Sequence, residues 1–191
     1  MCALHHFNVV KSAPGQFVKK LISKKYLTIN YLSAIMITVR KRKELTRMKK
    51  EICFDMDGTI ADLYGVEGWL EDLEHFSTRP YEMARPMMRM SQLARKLNQL
   101  QRKGYTIKVI SWLSKANNKA YDELVIKAKL AWLDVHLHSV QFDEIVIIPY
   151  GTPKSRFGDG ILFDDEERNR EEWNGFAYEP SEIIEVLNSL L

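Results

Sequence analysis

The chain has 191 residues, of which 46% are hydrophobic and 28% charged, a balance typical of a soluble protein with one domain and a sizeable core. Its only cysteines are Cys2 and Cys53, which argues against a disulfide framework and predicts a protein of the reducing cytoplasm. The net charge of +3 is uneven, because residues 1–47 contain ten Lys/Arg and one Asp/Glu, whereas residues 48–191 contain 18 Lys/Arg and 24 Asp/Glu. The larger, acidic part has no basic stripe, so we expect no stable nucleic-acid partner.

The first 47 residues differ in composition from the rest of the chain. An apolar run at 26–39 is flanked by basic clusters. It is shorter than the roughly 20 residues that a membrane-spanning helix needs, so we expect no transmembrane segment. Three interpretations stay open for residues 1–47: a basic arm that binds a membrane surface or nucleic acid, a structured appendage, or a segment that is disordered or not native. The last is motivated by Met48, which resembles a natural start directly before an apolar strand.

From Met48 onward, predicted strands alternate with predicted helices. Short apolar runs predict buried strands at 51–55, 105–111, 144–148 and 161–164, and a further strand at 175–178. Apolar residues at helical spacing predict helices at 66–76, 87–103, 117–137, 166–173 and 181–190. Arg79-Pro80 and Arg85-Pro86 indicate a connection between the first two helices. The alternation predicts an α/β domain with a parallel sheet and helices on both faces.

Polar side chains follow the predicted strands at the point where each strand ends. These residues are Asp55, Asp57, Thr59, Ser111, Lys154, Asp164 and Asp165. Because sites of open α/β sheets lie at the carboxyl ends of the strands, we expect these residues to meet at one edge. Clustered carboxylates repel one another unless a cation is present, and an oxygen-rich site suits Mg²⁺. The sequence therefore predicts a magnesium site there.

The same residues have the chemistry of phosphate-ester hydrolysis. Asp55 can attack phosphorus and form an aspartyl-phosphate, and Asp57 can protonate the leaving oxygen and later activate water. Ser111 and Lys154 can hold the remaining phosphate oxygens, and Lys154 also offsets the charge of Asp55.

These motifs resemble those of the haloacid-dehalogenase-like (HAD) phosphatases. Asp-Met-Asp-Gly-Thr at 55–59 resembles their first motif, Asp-x-Asp-x-Thr/Val. Ser111, Lys154 and the segment Phe163-Asp164-Asp165 resemble their second, third and fourth motifs. The likeness covers about residues 49–190, with the motifs in the family's order. It implies a HAD-like Rossmannoid sheet in a hydrolase domain at 48–191.

The resemblance also implies a role for each matched residue. Asp55 would be the nucleophile and Asp57 the acid/base. Mg²⁺ would be held by Asp55, by the backbone carbonyl of Asp57, and by Asp164 or Asp165, with the choice between these two left open. The expected activity is a Mg²⁺-dependent phosphomonoesterase acting on a small phosphorylated metabolite.

Asp55 and Ser111 are 56 positions apart, which leaves room for an insertion at 60–86 that we expect to be a small helical cap. It resembles the cap of the 5′(3′)-deoxyribonucleotidase family, and the Asp-Met-Asp-Gly start and Arg79-Pro80-Tyr81 add to that likeness. This predicts a (deoxy)nucleoside monophosphate as substrate, with Arg79 as a phosphate-binding residue. The cap's aromatic and basic residues can stack a base, or can simply pack the cap: Tyr64, Trp69, Phe76, Tyr81, Arg79 and Arg85.

Several residues and functions have a competing interpretation. Lys115 rivals Lys154 as the phosphate-binding cation, and Asn169 is either part of the site or a surface residue. His136 and His138 are expected at the surface or in packing, and Cys53 in the core. The competing functions are a phosphatase of nucleic-acid ends or of protein, and a catalytically silent binding protein on this fold. Nothing in the sequence indicates the oligomeric state.

Overall fold

The computed structural model describes residues 49–191. The three interpretations of residues 1–47 lie outside the described residues, and so does the proposed start at Met48.

Five parallel strands form the central sheet of the described chain. They are β1 (Glu51–Phe54), β4 (Thr106–Trp112), β5 (Glu144–Ile148), β6 (Ile161–Phe163) and β7 (Phe176–Tyr178). Their order across the sheet is β5-β4-β1-β6-β7, and every neighbouring pair is parallel. The predicted α/β fold with a parallel sheet is confirmed.

Strand β1 lies in the middle of the sheet. Its residues are apolar except for Glu51, whose carboxylate is paired with Lys108. All four of its residues are buried, as expected for a parallel strand that is covered on both sides. In the register of the sheet, Cys53 lies between Lys108 of β4 and Leu162 of β6. Cys53 and Leu162 belong to one core cluster that is closed by Trp173. The two edge strands are β5 and β7.

The helices follow the predicted order with adjusted ends. They are α1 (Trp69–Glu74), α2 (Arg79–Met83), α3 (Met90–Arg102), α4 (Lys119–Leu137), α5 (Glu167–Glu171) and α6 (Ile183–Leu190), with 3₁₀ turns at Lys154–Arg156 and Pro180–Glu182. Helix α3 packs against β4, α4 and α6. Gly104 follows α3 with φ +84°, which is the left-handed stop that the sequence indicates. Among residues 49–191, no helix has the length and apolarity to span a membrane.

The segment between β1 and α3 differs in detail from the prediction. Residues 79–83 were expected in a connection, but they form α2, because Pro80 stands in the first helical turn, where its missing N–H costs nothing. Arg85–Pro86 forms β3, which pairs antiparallel with β2 (Ala61–Asp62). Helix α1 ends earlier than predicted, and Phe76 beyond it has φ +58°. The segment is thus two short helices and a two-stranded ribbon.

The packing of α3 against the sheet makes a stability prediction. Leu97 on α3 is 0% exposed, so Leu97→Ala leaves a cavity and should lower the free energy of unfolding by about 2–5 kcal/mol. Leu124 on α4 is 50% exposed, so Leu124→Ala should change it by about 0.5 kcal/mol or less. Urea unfolding of the full chain measures both, and equal effects of the two changes would contradict this packing.

Candidate active site

The order of the strands brings the carboxylates together. The chain crosses from β1 to β4 on one side and to β6 on the other, so β1 stands at the point where ligands of open α/β sheets bind. Asp55 directly follows β1, and its N–H donates to the Phe163 carbonyl over 2.8 Å. Asp164 follows β6, and its N–H donates to the Tyr178 carbonyl over 3.2 Å. The two aspartates therefore leave the sheet side by side.

A buried lysine bridges these two strand ends. Lys154 lies in the 3₁₀ turn at Lys154–Arg156, and its Nζ is 2.7 Å from Asp55 Oδ1 and 2.7 Å from Asp164 Oδ2. Burial opposes the charged ammonium, but the two carboxylates outweigh it and raise the pKa of Lys154. The ring of Trp112 adds a cation–π contact, with Nζ 5.0 Å from its centroid. Lys154 is thus held as a cation between two carboxylates.

A second buried lysine, which the sequence analysis missed, contacts Asp57. Lys129 of α4 is 0% exposed, and its Nζ lies 2.5 Å from Asp57 Oδ2 and 2.8 Å from Ser111 Oγ. Burial and the Asp55 charge raise the pKa of Asp57, while Lys129 opposes them. The sequence does hold a signal for this residue, because Lys129 stands four residues after Val125 and three before Trp132, both buried on the inner face of α4.

The two aspartates after β6 have different surroundings. Asp164 is fully buried, and both of its oxygens accept hydrogen bonds from Asn169 Nδ2, at 3.1 and 3.2 Å. Asp165 is partly buried and lines a cavity, and its Oδ1 accepts from the Thr59 hydroxyl over 3.3 Å. The Asp165 N–H donates back to Thr59 Oγ1 over 3.1 Å. Thr59 therefore holds both the side chain and the backbone of Asp165 through these two hydrogen bonds.

The turn after Asp55 brings the chain close to Asp165. Gly58 has φ +74°, and a Cβ at this position would overlap Asp165 Oδ2 and the ring of Tyr64. Only glycine accepts both this left-handed backbone and this close approach. The absence of a side chain at Gly58 therefore allows the Asp-Met-Asp-Gly turn to pack directly against Asp165.

Three carboxylates at this edge can hold a metal ion. One oxygen each from Asp55, Asp164 and Asp165 lies within 4.8 Å of the other two. Burial and the Asp55 charge raise the pKa of Asp164 to about 6, and burial, Asp55 and Asp164 raise that of Asp165 to about 7. With Asp57, four carboxylates face two lysines, so the ionised cluster has two excess negative charges. A hard divalent cation with oxygen ligands fits this donor set.

A cavity of about 180 Å³ opens above the carboxylates. Asp55, Asp57 and Asp165 form its polar floor. Its walls are largely aromatic and come from both the sheet edge and the segment before α3: Tyr64, Trp69, Tyr81, Trp112 and Tyr150. An aromatic chamber over a cluster of carboxylates suits a small ligand that has one charged and one planar or apolar end.

The structure brings together most of the residues expected at the site. Lys154 joins Asp55 and Asp164 in an ion-pair network, and Asp165 has an oxygen within 4.8 Å of both aspartates. Asp57 lines the same cavity and is linked to Ser111 through Lys129, and Thr59 is bonded to Asp165.

Arg79 lies outside these groups of site residues. Its guanidinium pairs with Asp72 and donates to the Glu67 carbonyl over 3.0 Å.

The other three candidates lie in the cavity, beside Asp164 and in the core. Lys115 lines the cavity mouth, where its Nζ lies 4.7 Å from the ring centroid of Tyr150. Asn169 is buried against Asp164, so it is not a surface residue. Cys53 is a core residue, as expected.

Comparisons with known proteins give likenesses to solved structures alone. No protein-family profile matches the sequence, and no curated protein matches it. A solved structure that resembles the chain is D,D-heptose 1.7-bisphosphate phosphatase from B. bronchiseptica, complexed with magnesium and phosphate. The identity is 13% and the TM-score 0.41, over 65% of this chain and 74% of that chain. The activity of this chain is therefore inferred from its own side chains.

The raised carboxyl pKa values make a prediction about metal affinity. Mg²⁺ binds the ionised carboxylates, so its binding must displace the protons that Asp164 and Asp165 retain up to pH values of about 6 and about 7. The affinity for Mg²⁺ should therefore rise about 20-fold from pH 6 to pH 8. Isothermal titration calorimetry in two buffers of different ionisation enthalpy measures the affinity and the protons released.

Asp165→Asn provides the control for this titration. It removes the carboxyl with the higher pKa, so it should weaken binding at pH 8 and flatten the pH dependence. An equal affinity of the unaltered chain at pH 6 and pH 8, with no proton release, would rule out these carboxylates as the ligands.

Proposed function

We propose that the chain is a Mg²⁺-dependent phosphomonoesterase of the HAD type that works through an aspartyl-phosphate intermediate. The observation that carries this proposal is the position of Asp55. It stands on the cavity floor at the end of the central strand, paired with the buried Lys154 and beside a metal-binding set of carboxylates. A carboxylate in that position can reach a phosphoryl group that enters from the cavity.

Asp55 is the nucleophile in this proposal. Lys154 engages its Oδ1, and the second oxygen attacks phosphorus. A bond forms between Asp55 and phosphorus, the bond from phosphorus to the leaving oxygen breaks, and the electron pair departs with that oxygen. Lys154 lowers the repulsion between the carboxylate and the phosphate dianion, and it keeps Asp55 in one orientation.

Asp57 is the acid and then the base. It lines the same cavity, two residues after Asp55, and its raised pKa favours retention of a proton. In the first step this proton passes to the leaving oxygen. In the second step Asp57 takes a proton from water, the water oxygen bonds to phosphorus, and the bond from Asp55 to phosphorus breaks. Asp55 and inorganic phosphate are then regenerated.

The metal ligands would be Asp55 and Asp165, with the backbone carbonyl of Asp57 that the HAD resemblance implies. Asp165 is the direct ligand from the last pair because it is only partly buried and lines the cavity, whereas Asp164 is fully buried and has both oxygens engaged by Asn169 and Lys154. When bound there, Mg²⁺ would neutralise charge on the transferring phosphoryl group.

The substrate is a small phosphorylated metabolite, and we favour a (deoxy)nucleoside monophosphate in the cytoplasm. The 180 Å³ cavity is small, and aromatic residues from the 60–86 segment, which we take as the cap, form part of its wall. Such walls can stack on a base. The acidic balance of residues 48–191 argues against protein or nucleic-acid ends as substrates. Arg79 is engaged by Asp72, so its proposed contact with phosphate has no support here.

The direct test is phosphate release by the full chain from a panel of phosphorylated metabolites, with and without Mg²⁺. Release should require Mg²⁺, and Asp55→Asn should lower kcat by at least about 10³-fold because it removes the nucleophile. Asp134→Asn changes an exposed carboxylate on α4 and should leave the rate unaltered. Mg²⁺ binding without release from any member of the panel would contradict the proposal.

A further inference from the structure

A fully buried lysine on the inner face of α4 has no part in the mechanism above. Lys129 is 0% exposed, among the buried residues Val125, Trp132 and Leu133 of the same helix. A lysine is rarely buried unless its charge is paired, because removing an ammonium from water is strongly unfavourable. Its place in the interior therefore depends on the groups that it contacts.

Those groups all belong to the candidate active site. The Lys129 ammonium donates to Asp57 Oδ2 over 2.5 Å, to Ser111 Oγ over 2.8 Å and to the Trp112 carbonyl over 2.7 Å. An ammonium group has three N–H donors, and these three acceptors use all of them. Lys129 therefore has no donor left for a phosphate oxygen, which separates its role from that of a substrate-binding cation.

We propose that Lys129 is a positioning residue that aims Asp57 at the leaving oxygen, an inference that rests on the proposed phosphatase function. The ammonium fixes Asp57 Oδ2, so the proton to be transferred lies on Oδ1. When the bond from phosphorus to the leaving oxygen breaks, that oxygen takes the electron pair and then the proton from Oδ1. Lys129 keeps its three protons throughout.

The same lysine orients the hydroxyl of Ser111. Because Lys129 donates to Ser111 Oγ, the serine acts as acceptor in that bond, and its own hydrogen is directed to another acceptor. A phosphate oxygen held between Asp55 and Ser111 would be such an acceptor. Lys129 thus arranges two groups of one site, of which Asp57 is 72 positions and Ser111 is 18 positions away in sequence.

Lys129 also contacts the segment between β1 and α3. Its Nζ lies 5.0 Å from the ring centroid of Tyr81, which is buried on α2 and lines the cavity. Helices α2 and α4 pack against each other. Lys129 therefore links Asp57 to the cavity wall at Tyr81. In the proposed mechanism this wall encloses the leaving group, which is the group that Asp57 protonates.

The test compares two leaving groups. A nucleoside 5′-monophosphate releases an alkoxide that needs a proton, whereas p-nitrophenyl phosphate releases a stable phenolate that does not. Lys129→Met should lower kcat by about 10²-fold or more on the nucleotide and by less than about tenfold on p-nitrophenyl phosphate, with little change in KM. A purely structural role would lower both rates alike.

Two controls keep this result interpretable. Lys127→Met changes an exposed lysine of the same helix and should leave both rates unaltered. Asp57→Asn should reproduce the leaving-group pattern, and Asp57→Asn combined with Lys129→Met should add no further loss, because both changes remove one function. The double variant also avoids an unpaired Asp57 charge, so it serves if Lys129→Met does not fold.

Each outcome decides one of the two proposals. Equal losses on both substrates, unaltered rates, or a further loss in the double variant would overturn the role of Lys129 and leave the phosphatase function intact. No Mg²⁺-dependent turnover by the unaltered chain on p-nitrophenyl phosphate or on any member of the metabolite panel would overturn the phosphatase function itself.

Discussion

Four carboxylates meet at the carboxyl ends of β1 and β6, and their mutual repulsion is the constraint on which the site depends. Two buried lysines neutralise part of this negative charge. Lys154 joins Asp55 to Asp164, and Lys129 holds Asp57. Two negative charges remain when all four carboxylates are ionised. Burial and this repulsion raise the pKa of Asp164 and of Asp165, and we propose that a divalent cation balances the remaining charge in the working enzyme.

The loop that carries Lys154 is held in position by the central strand of the sheet. The loop that carries Lys154 is anchored at its far end by Glu51, the first residue of β1, whose Oε1 accepts the Asp159 N–H over 2.8 Å. The Glu51 charge is in turn paired with Lys108 of β4 at 3.1 Å. One short strand thus holds the lysine loop at its start and leads into the nucleophile at its end. Stability and site geometry are coupled through the same four residues of β1.

The sheet and most of the site could be predicted because their signals are local. Apolar runs that end in acidic residues mark buried strands, and a parallel sheet places such ends at one edge. Lys129 could not be found in this way. Its contact with Asp57 spans 72 positions and depends on how α4 is rotated against the sheet. By local charge alone it is no different from the exposed Lys127, and only its buried neighbours distinguish it. Arg79 shows the opposite case. Its charge suited a phosphate contact, but in the fold its guanidinium is paired with Asp72.

The central claim is that Asp55 becomes covalently phosphorylated, and trapping of the acyl phosphate tests it most directly. The full chain would be mixed with Mg²⁺ and a turned-over phosphate ester, quenched, treated with borohydride, and digested for mass spectrometry. Borohydride reduces an acyl phosphate to an alcohol, so the account predicts that Asp55 alone is converted to homoserine, and only when Mg²⁺ and substrate are both present. Steady turnover with an unmodified Asp55, or conversion of another carboxylate, would contradict it.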